Sequence, residues 1–251
     1  MNRIETFKQY LKEKRAVKII AGIDNFDLAN IKKVVMAAQN SGASAVDICA
    51  DEEIIREVRG MTDMPIFVSS IMPEELVRAV ELGVDAIELG NFDALYKKGM
   101  TFSAHDVIES VVKTYELLNN REVFFSVTIP GELSVAEQIK LARRLEKMGV
   151  NLIQTEGQFT SEQSEGVRGL MARAALTIAN TVELSRNVEI PIMTASSINP
   201  TTAAFAFAAG ASAIGAGSCV NKADSEISMM ATCRNLVEIA SANMQKVAQL
   251  V

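Results

Sequence analysis

The chain has 251 residues, 49% of them hydrophobic, with one His, no Trp, 10 Phe and 3 Tyr. A single His excludes sites that need two imidazoles, and three Cys far apart (Cys49, Cys219, Cys233) fit neither a disulfide framework nor a zinc cluster but a reducing compartment. A net charge of −6, no basic tract and few aromatics to stack on bases argue against nucleic acid as a partner.

At the N-terminus, Ile4, Phe7 and Leu11 recur at i, i+3 and i+7, which predicts an amphipathic helix within residues 1–15. Its interspersed charges are not those of a secretory signal or a transit peptide. Eight runs rich in Val and Ile then predict buried strands over 16–23, 44–49, 65–70, 85–90, 123–129, 151–156, 190–196 and 212–217. A helical pattern follows each of them. Ser134 and Glu137 predict a capping box, Met72-Pro73 and Asn199-Pro200 place proline at a first helical position, and the last helix is expected to open after Asp224. Residues 190–221 carry no charge, yet Pro and Gly interrupt them. They are read as strand, helix and strand, because a membrane span needs about 20 unbroken apolar residues. Eight strand–helix units in a chain of this length predict a single (β/α)8 (TIM) barrel domain over residues 1–251.

Two repeats support closure of the sheet. The segments GASAVDI, GVDAIEL, GVNLIQT and GASAIGA begin at Gly42, Gly83, Gly149 and Gly210 and align without gaps ahead of strands two, four, six and eight. Glycine just past a helix end adopts the left-handed conformation cheaply. Five residues on stand Asp47, Glu88, Gln154 and Gly215, each preceded by an aliphatic residue. Strand alternation sends the aliphatic set toward the helices and the polar set inward, as one interior layer. Ser69-Ser70-Ile71-Met72-Pro73 also matches Ser196-Ser197-Ile198-Asn199-Pro200 at an offset of 127, the signature of a half-barrel repeat. Pro65 and Pro191 match at 126 instead, which leaves the facing of Ser69, Ser70, Thr194 and Ser196 open.

The long strand-to-helix connections, residues 91–102 and 157–166, leave the carboxyl ends of strands, where barrel enzymes carry their sites. The second is polar and glycine-bracketed, either a lid or a plain surface loop. Thr194, Ser196, Ser197, Gly217 and Ser218 lie at the ends of strands seven and eight, where small residues let backbone N–H groups approach a phosphate. Small residues also serve tight packing. A weaker second anion site is expected at Ser70 and Gly90, with Lys97 and Lys98 in reach. Alternation also turns Lys18 inward, where it is expected to meet Asp47 or Glu88, with Glu156 one layer above Gln154. Such a lysine either pairs with carboxylates in a structural plug or, partly desolvated, acts as base or imine-forming nucleophile. His105 reads as a solvated helix-start residue and Cys49 as filler.

The segments KIIAGIDNFD (18–27), VDICA (46–50), ELGNFDALYKKG (88–99), IQTEGQ (153–158) and GASAIGAGSCVN (210–221) resemble the hypothetical chloroplast reading frame twenty-three family of cyanobacteria and algal plastids. The resemblance runs from about residue 10 to the end. It implies a cytoplasmic or plastid-stromal protein of a phototroph and no particular reaction. Its motifs fall on Lys18, Asp24, Asn25, Asp47, Glu88, Asn91, Gln154, Glu156 and Gly217. The expected function is binding of a phosphorylated small metabolite, with Asn25, Asn91 and Gln154 joining the corner residues as ligand contacts. Aldolase-like cleavage or isomerisation would use Lys18, Asp47, Glu88 and Glu156. The alternative is a non-catalytic metabolite-binding or regulatory barrel. No cofactor and no metal site are expected, although a magnesium-dependent reaction on the carboxylates is a weaker option. No membrane partner is expected, and protein partners and oligomeric state are left open.

Overall fold

The computed structural model describes residues 3–96, 98–157 and 166–248, with side chains as far as Asn243. Its strands are β1 (Ala16–Ile20), β2 (Ala45–Cys49), β3 (Ile66–Ser70), β4 (Ala86–Leu89), β5 (Phe124–Thr128), β6 (Leu152–Thr155), β7 (Ile192–Thr194) and β8 (Ala213–Ala216). Every neighbouring pair is parallel, and β8 closes on β1 with Lys18 opposite Gly215. The expected (β/α)8 barrel is therefore present, with all eight predicted strands.

Around it run α1 (Arg3–Lys12), α2 (Leu28–Ser41), α3 (Glu52–Met61), α4 (Pro73–Glu81), α5 (Asp93–Tyr96), α6 (Ala104–Leu118), α7 (Val135–Lys147), α8 (Gly166–Ser185), α9 (Ala203–Ala208), α10 (Ser218–Asn221) and α11 (Glu226–Ala248). The Ser134–Glu137 capping box forms, and Pro73 opens α4. Two helix starts shift. α9 begins at Ala203, after a turn in which Asn199 accepts from the Thr201 amide, so Pro200 precedes the helix. At α11 the capping acceptor is the Ser225 hydroxyl, one residue beyond Asp224.

Alternation along the strands builds two cores. Outward residues such as Val17, Ile19, Val46, Ile48, Ile87 and Ile214 pack against the helices. Inward residues at the strand starts, among them Ala45, Phe67, Phe124 and Met193, pack with Ile4, Phe7 and Leu11 of α1. Phe7 meets Phe67 and Phe124 edge-on at 5.0 and 5.8 Å between centroids, so the N-terminal helix closes the bottom of the barrel. Gly42 ends α2 at φ 76°, its N–H directed to Ala38 and Gln39 carbonyls, a left-handed cap that favours glycine. With the bottom closed, the barrel opens at the carboxyl ends of the strands.

Candidate functional site

The polar interior begins one layer above the aromatic seal. Lys18 Nζ lies 2.7 Å from Glu88 Oε2 and 3.4 Å from Asp47 Oδ2, and all three side chains are buried. Ser69 Oγ donates to Asp47 Oδ1 at 2.6 Å and Ser126 Oγ to Glu88 Oε2 at 2.7 Å. Burial alone would lower the Lys18 pKa, but the charges of Asp47 and Glu88 outweigh it and leave it raised. Burial lifts Asp47 to about 6, with Lys18 opposing the rise and Glu88 adding to it. One cation shared by two carboxylates leaves excess negative charge, so a raised carboxyl is the physically expected outcome.

Asn91 and Gln154 cover this cluster. Asn91 Nδ2 donates to Asp47 Oδ2 (3.2 Å) and Ser69 Oγ (2.8 Å), and Gln154 Nε2 donates to Asn91 Oδ1 (2.8 Å) and Thr128 Oγ1 (3.1 Å). Asn91 reaches its place because Gly90, at φ 145°, lies against Thr128. A Cβ there would come within 2.2 Å of Thr128 Cβ.

Above them opens a cavity of about 480 Å³ at the carboxyl end of the barrel. Gly22, Asp24, Asn91, Gln154, Glu156 and Gly215 line its floor and one wall, and Ser196, Ser197, Gly217 and Ser218 line the β7–β8 corner. Ser196 and Ser197 both take left-handed backbone, at φ 67° and 60°. Gly217 lies so near β1 that a Cβ would stand 3.1 Å from the Ile20 carbonyl oxygen, which accepts from Asn221 Nδ2 at 2.8 Å. Glu156 accepts from the Asp93 amide (2.7 Å) and the Tyr96 hydroxyl (2.9 Å), which anchors α5 over the mouth. Burial and the charge of Asp93 push its carboxyl well above the ordinary range, against those hydrogen bonds.

Several sequence expectations need relocation. Thr194 does not reach the cavity: Met193 and Ala195 take the inward positions, and Thr194 Oγ1 lies 2.6 Å from Thr181 Oγ1 of α8. Asn25 shapes the turn after β1, bonding the Ala21 carbonyl, Asn30 and the Asp27 amide. Lys18, Asp47 and Glu88 come together beneath the cavity and are not among its lining residues. Among the described residues no second anion site assembles at Ser70, whose hydroxyl bonds Glu75 and the Met72 amide on the helix side. Lys98 pairs with Asp24 at 3.2 Å, while Lys97 lies outside the described residues, as do residues 158–165 of the 157–166 connection read as either a lid or a surface loop. His105 is solvent-exposed beside Glu109, and burial pushes the Cys49 thiol up to about 11, which suits a packing role.

Two cations that sequence reasoning did not select, Arg173 of α8 and Lys222 after α10, also line the cavity. Strand alternation carries no information about helix residues, so no sequence signal pointed to Arg173. Lys222 follows GSCVN directly, and the position of that motif at the β8 end could have singled it out.

These features define a (β/α)8-barrel protein with a polar, ligand-sized mouth at the catalytic face of that fold. The chain belongs to the family described as protein of unknown function (DUF561), which matches residues 1–246. It is 40% identical over 219 residues to the uncharacterized protein ycf23 of Pyropia yezoensis, covering 87% of this chain and 80% of that one. With the ycf23 protein of Cyanophora paradoxa it shares 37% identity over 230 residues, covering 91% and 93%. This is the family that the sequence motifs resemble. Among solved structures, 3-hexulose-6-phosphate synthase from Salmonella typhimurium superposes with a TM-score of 0.68 at 10% identity, covering 91% of this chain and 99% of that one, a likeness of fold. Among the described residues, no helix is long and apolar enough to cross a membrane.

Proposed function

We propose that this protein binds a phosphorylated small metabolite at the barrel mouth, with the phosphate seated at Ser196, Ser197, Gly217 and Ser218. The observation that carries the reading is the pair of consecutive left-handed serines at the end of β7. Left-handed backbone costs an L-residue roughly 1–2 kcal/mol, and such strain gathers where a ligand is clamped. Arg173 and Lys222 line the same cavity and bring positive charge to it, beside the carboxylates of Asp24, Asp93 and Glu156. The structural neighbour is, by its name, a hexulose-6-phosphate synthase, which agrees with a phosphorylated ligand. The cytoplasm of a cyanobacterium or the stroma of a plastid suits the reading and the free cysteines.

For turnover, the geometry favours proton transfer over imine formation. Lys18 is buried, held protonated by two carboxylates and separated from the cavity by Asn91 and Gln154. Glu156 lines the cavity, and its raised pKa makes it the acid/base group for isomerisation or aldolase-like cleavage. Magnesium has no part in this reading, since Asp47 is taken up by Lys18, Ser69 and Asn91. A non-catalytic binder is the second reading, favoured by the placement of Lys18, Asp47 and Glu88 outside the cavity lining.

Calorimetric titration with inorganic phosphate and dihydroxyacetone phosphate tests the site. Ser218→Asp, which adds a negative charge at the corner, is expected to weaken both by on the order of tenfold or more. Unchanged binding by a folded variant overturns the corner assignment. Deuterium exchange at the carbon next to the ligand carbonyl, lost in Glu156→Gln, separates an enzyme from a binder. Borohydride treatment of the complex is expected to leave Lys18 unmodified.

A further inference from the structure

Beneath the phosphate corner runs a chain of hydrogen bonds whose direction is fixed from its buried end. Ionised Asp47, held by Lys18, offers only acceptors. Asn91 must therefore turn its NH2 group toward Asp47, and it does so at 3.2 Å. That orientation leaves Asn91 Oδ1 as an acceptor facing Gln154, so Gln154 in turn presents its NH2 group, at 2.8 Å. The same nitrogen donates to Thr128 Oγ1 at 3.1 Å, and both donor hydrogens of Gln154 are used. Its carbonyl oxygen, Oε1, is consequently directed away from the network. It is buried and has no partner among the described residues, in a side chain that is 1% exposed and lines the cavity. An acceptor left unpaired in such a place costs about 1–3 kcal/mol, so a ligand donor that reaches it is strongly preferred over none.

The direction in which Oε1 points is also fixed. It stands 3.4 Å from where a Cβ of Gly215 would lie, across the cavity floor. Gly217, in the phosphate corner, lines the same cavity two residues further along the chain, just past the end of β8. At a rise of about 3.3 Å per residue, the corner lies roughly 6–7 Å above the level of Gly215. A phosphate ester spans that interval with a backbone of two or three carbons.

We propose that Gln154 Oε1 accepts a hydrogen bond from a hydroxyl of the ligand, and that the ligand is the phosphate ester of a short polyol or sugar with that hydroxyl on the second or third carbon from the ester oxygen. The proposal rests on the phosphate reading given above. It assigns Gln154 as the specificity-determining contact and Asn91 and Asp47 as positioning residues that act through it. An ether or keto oxygen at the same carbon has no hydrogen to give, and a site built around an unpaired acceptor discriminates against it.

The test is calorimetric titration at pH 8, where Asp47 is ionised, with three probes: inorganic phosphate, glycerol 1-phosphate and propyl phosphate. Glycerol 1-phosphate is expected to bind about tenfold more tightly than propyl phosphate, which lacks the hydroxyls. Gln154→Met, close in length and without an acceptor of comparable strength, is expected to close that gap. Asp47→Asn, which no longer dictates the direction of the amide chain, is expected to narrow it. Thermal melts establish that each variant is folded. If neither folds, the wild-type comparison decides alone. Equal binding of the two esters by the wild-type protein, with inorganic phosphate still bound, overturns the hydroxyl contact and leaves the phosphate corner standing. A gap that persists in folded Gln154→Met overturns it as well. Failure of all three probes to bind removes the corner, and the spacing argued from it goes too.

Discussion

Lys18 and Glu88 come from β1 and β4, strands that are not neighbours in the sheet, yet the ammonium and Oε2 lie 2.7 Å apart across the barrel interior. Asp47 of β2 completes the cluster at 3.4 Å, so one cation serves two carboxylates in a space closed to solvent. A buried ion pair adds little net stability compared with apolar packing, but removal of one partner strands the other.

Lys18→Met is accordingly expected to destabilise the fold by about 3–5 kcal/mol, since it leaves Asp47 and Glu88 buried without a counter-charge. Urea denaturation measures this. The double change Lys18→Met with Glu88→Gln is expected to recover part of the loss. A Lys18→Met protein as stable as the parent would mean that the carboxylates do not depend on the ammonium.

The same cluster gives a pH dependence with a definite sign. Asp47 titrates near 6 in the folded protein and has an ordinary value of 3.8. Between those values the folded state holds a proton that the unfolded chain has released. Asp47 therefore contributes stability that is fully present below about pH 4 and lost as pH rises through about 6. Glu156, shifted in the same direction, adds to the trend. Relative to Asp47→Asn, the wild-type protein is expected to lose stability from pH 4 to 6 and to run parallel above that. Denaturation curves across this range decide it, and parallel profiles throughout would show an Asp47 that stays ionised.

Backbone strain at the corner can be released without touching the cores. Ser197→Gly is expected to stabilise by about 1 kcal/mol, because glycine adopts φ 60° without the cost borne by serine. A change that raises stability and weakens phosphate-ester binding would identify the serine as one that trades stability for ligand contact. A neutral result in both measurements contradicts stored strain at this position.

At the opposite end, Phe7→Ala removes the ring that packs edge-on against Phe67 and Phe124. The expected cost is about 3–5 kcal/mol, the range for a large buried aromatic. The cavity mouth is at the other end of the strands, so ligand affinity per folded molecule is expected to hold. A melting temperature unchanged from the parent would mean that α1 does not seal the barrel.

The sequence alone determined the barrel. Its strands announce themselves through runs of Val and Ile, and Gly42, Gly83, Gly149 and Gly210 mark the turn before every second one. Period-two alternation then placed Lys18, Asp47, Glu88 and Gln154 on the inner face, because facing along a strand depends only on local backbone geometry. The spacing of Ile4, Phe7 and Leu11 likewise foretold the buried face of α1. Only the tertiary structure decided depth and direction. Lys18 is inward, as alternation requires, but whether an inward side chain meets ligand or lies sealed below depends on Asn91, delivered from another strand end by the left-handed turn at Gly90. Thr194 turns to α8 because it holds the place of outward Val68 at the offset of 126 set by Pro65 and Pro191, so the extra residue of the second half falls after it, which the repeat alone did not show. Arg173 joins the mouth through the phase of α8 against the barrel, which no period within the chain encodes. Local patterns record which face a residue takes. The neighbours that meet it there come from distant segments, and packing alone brings them together.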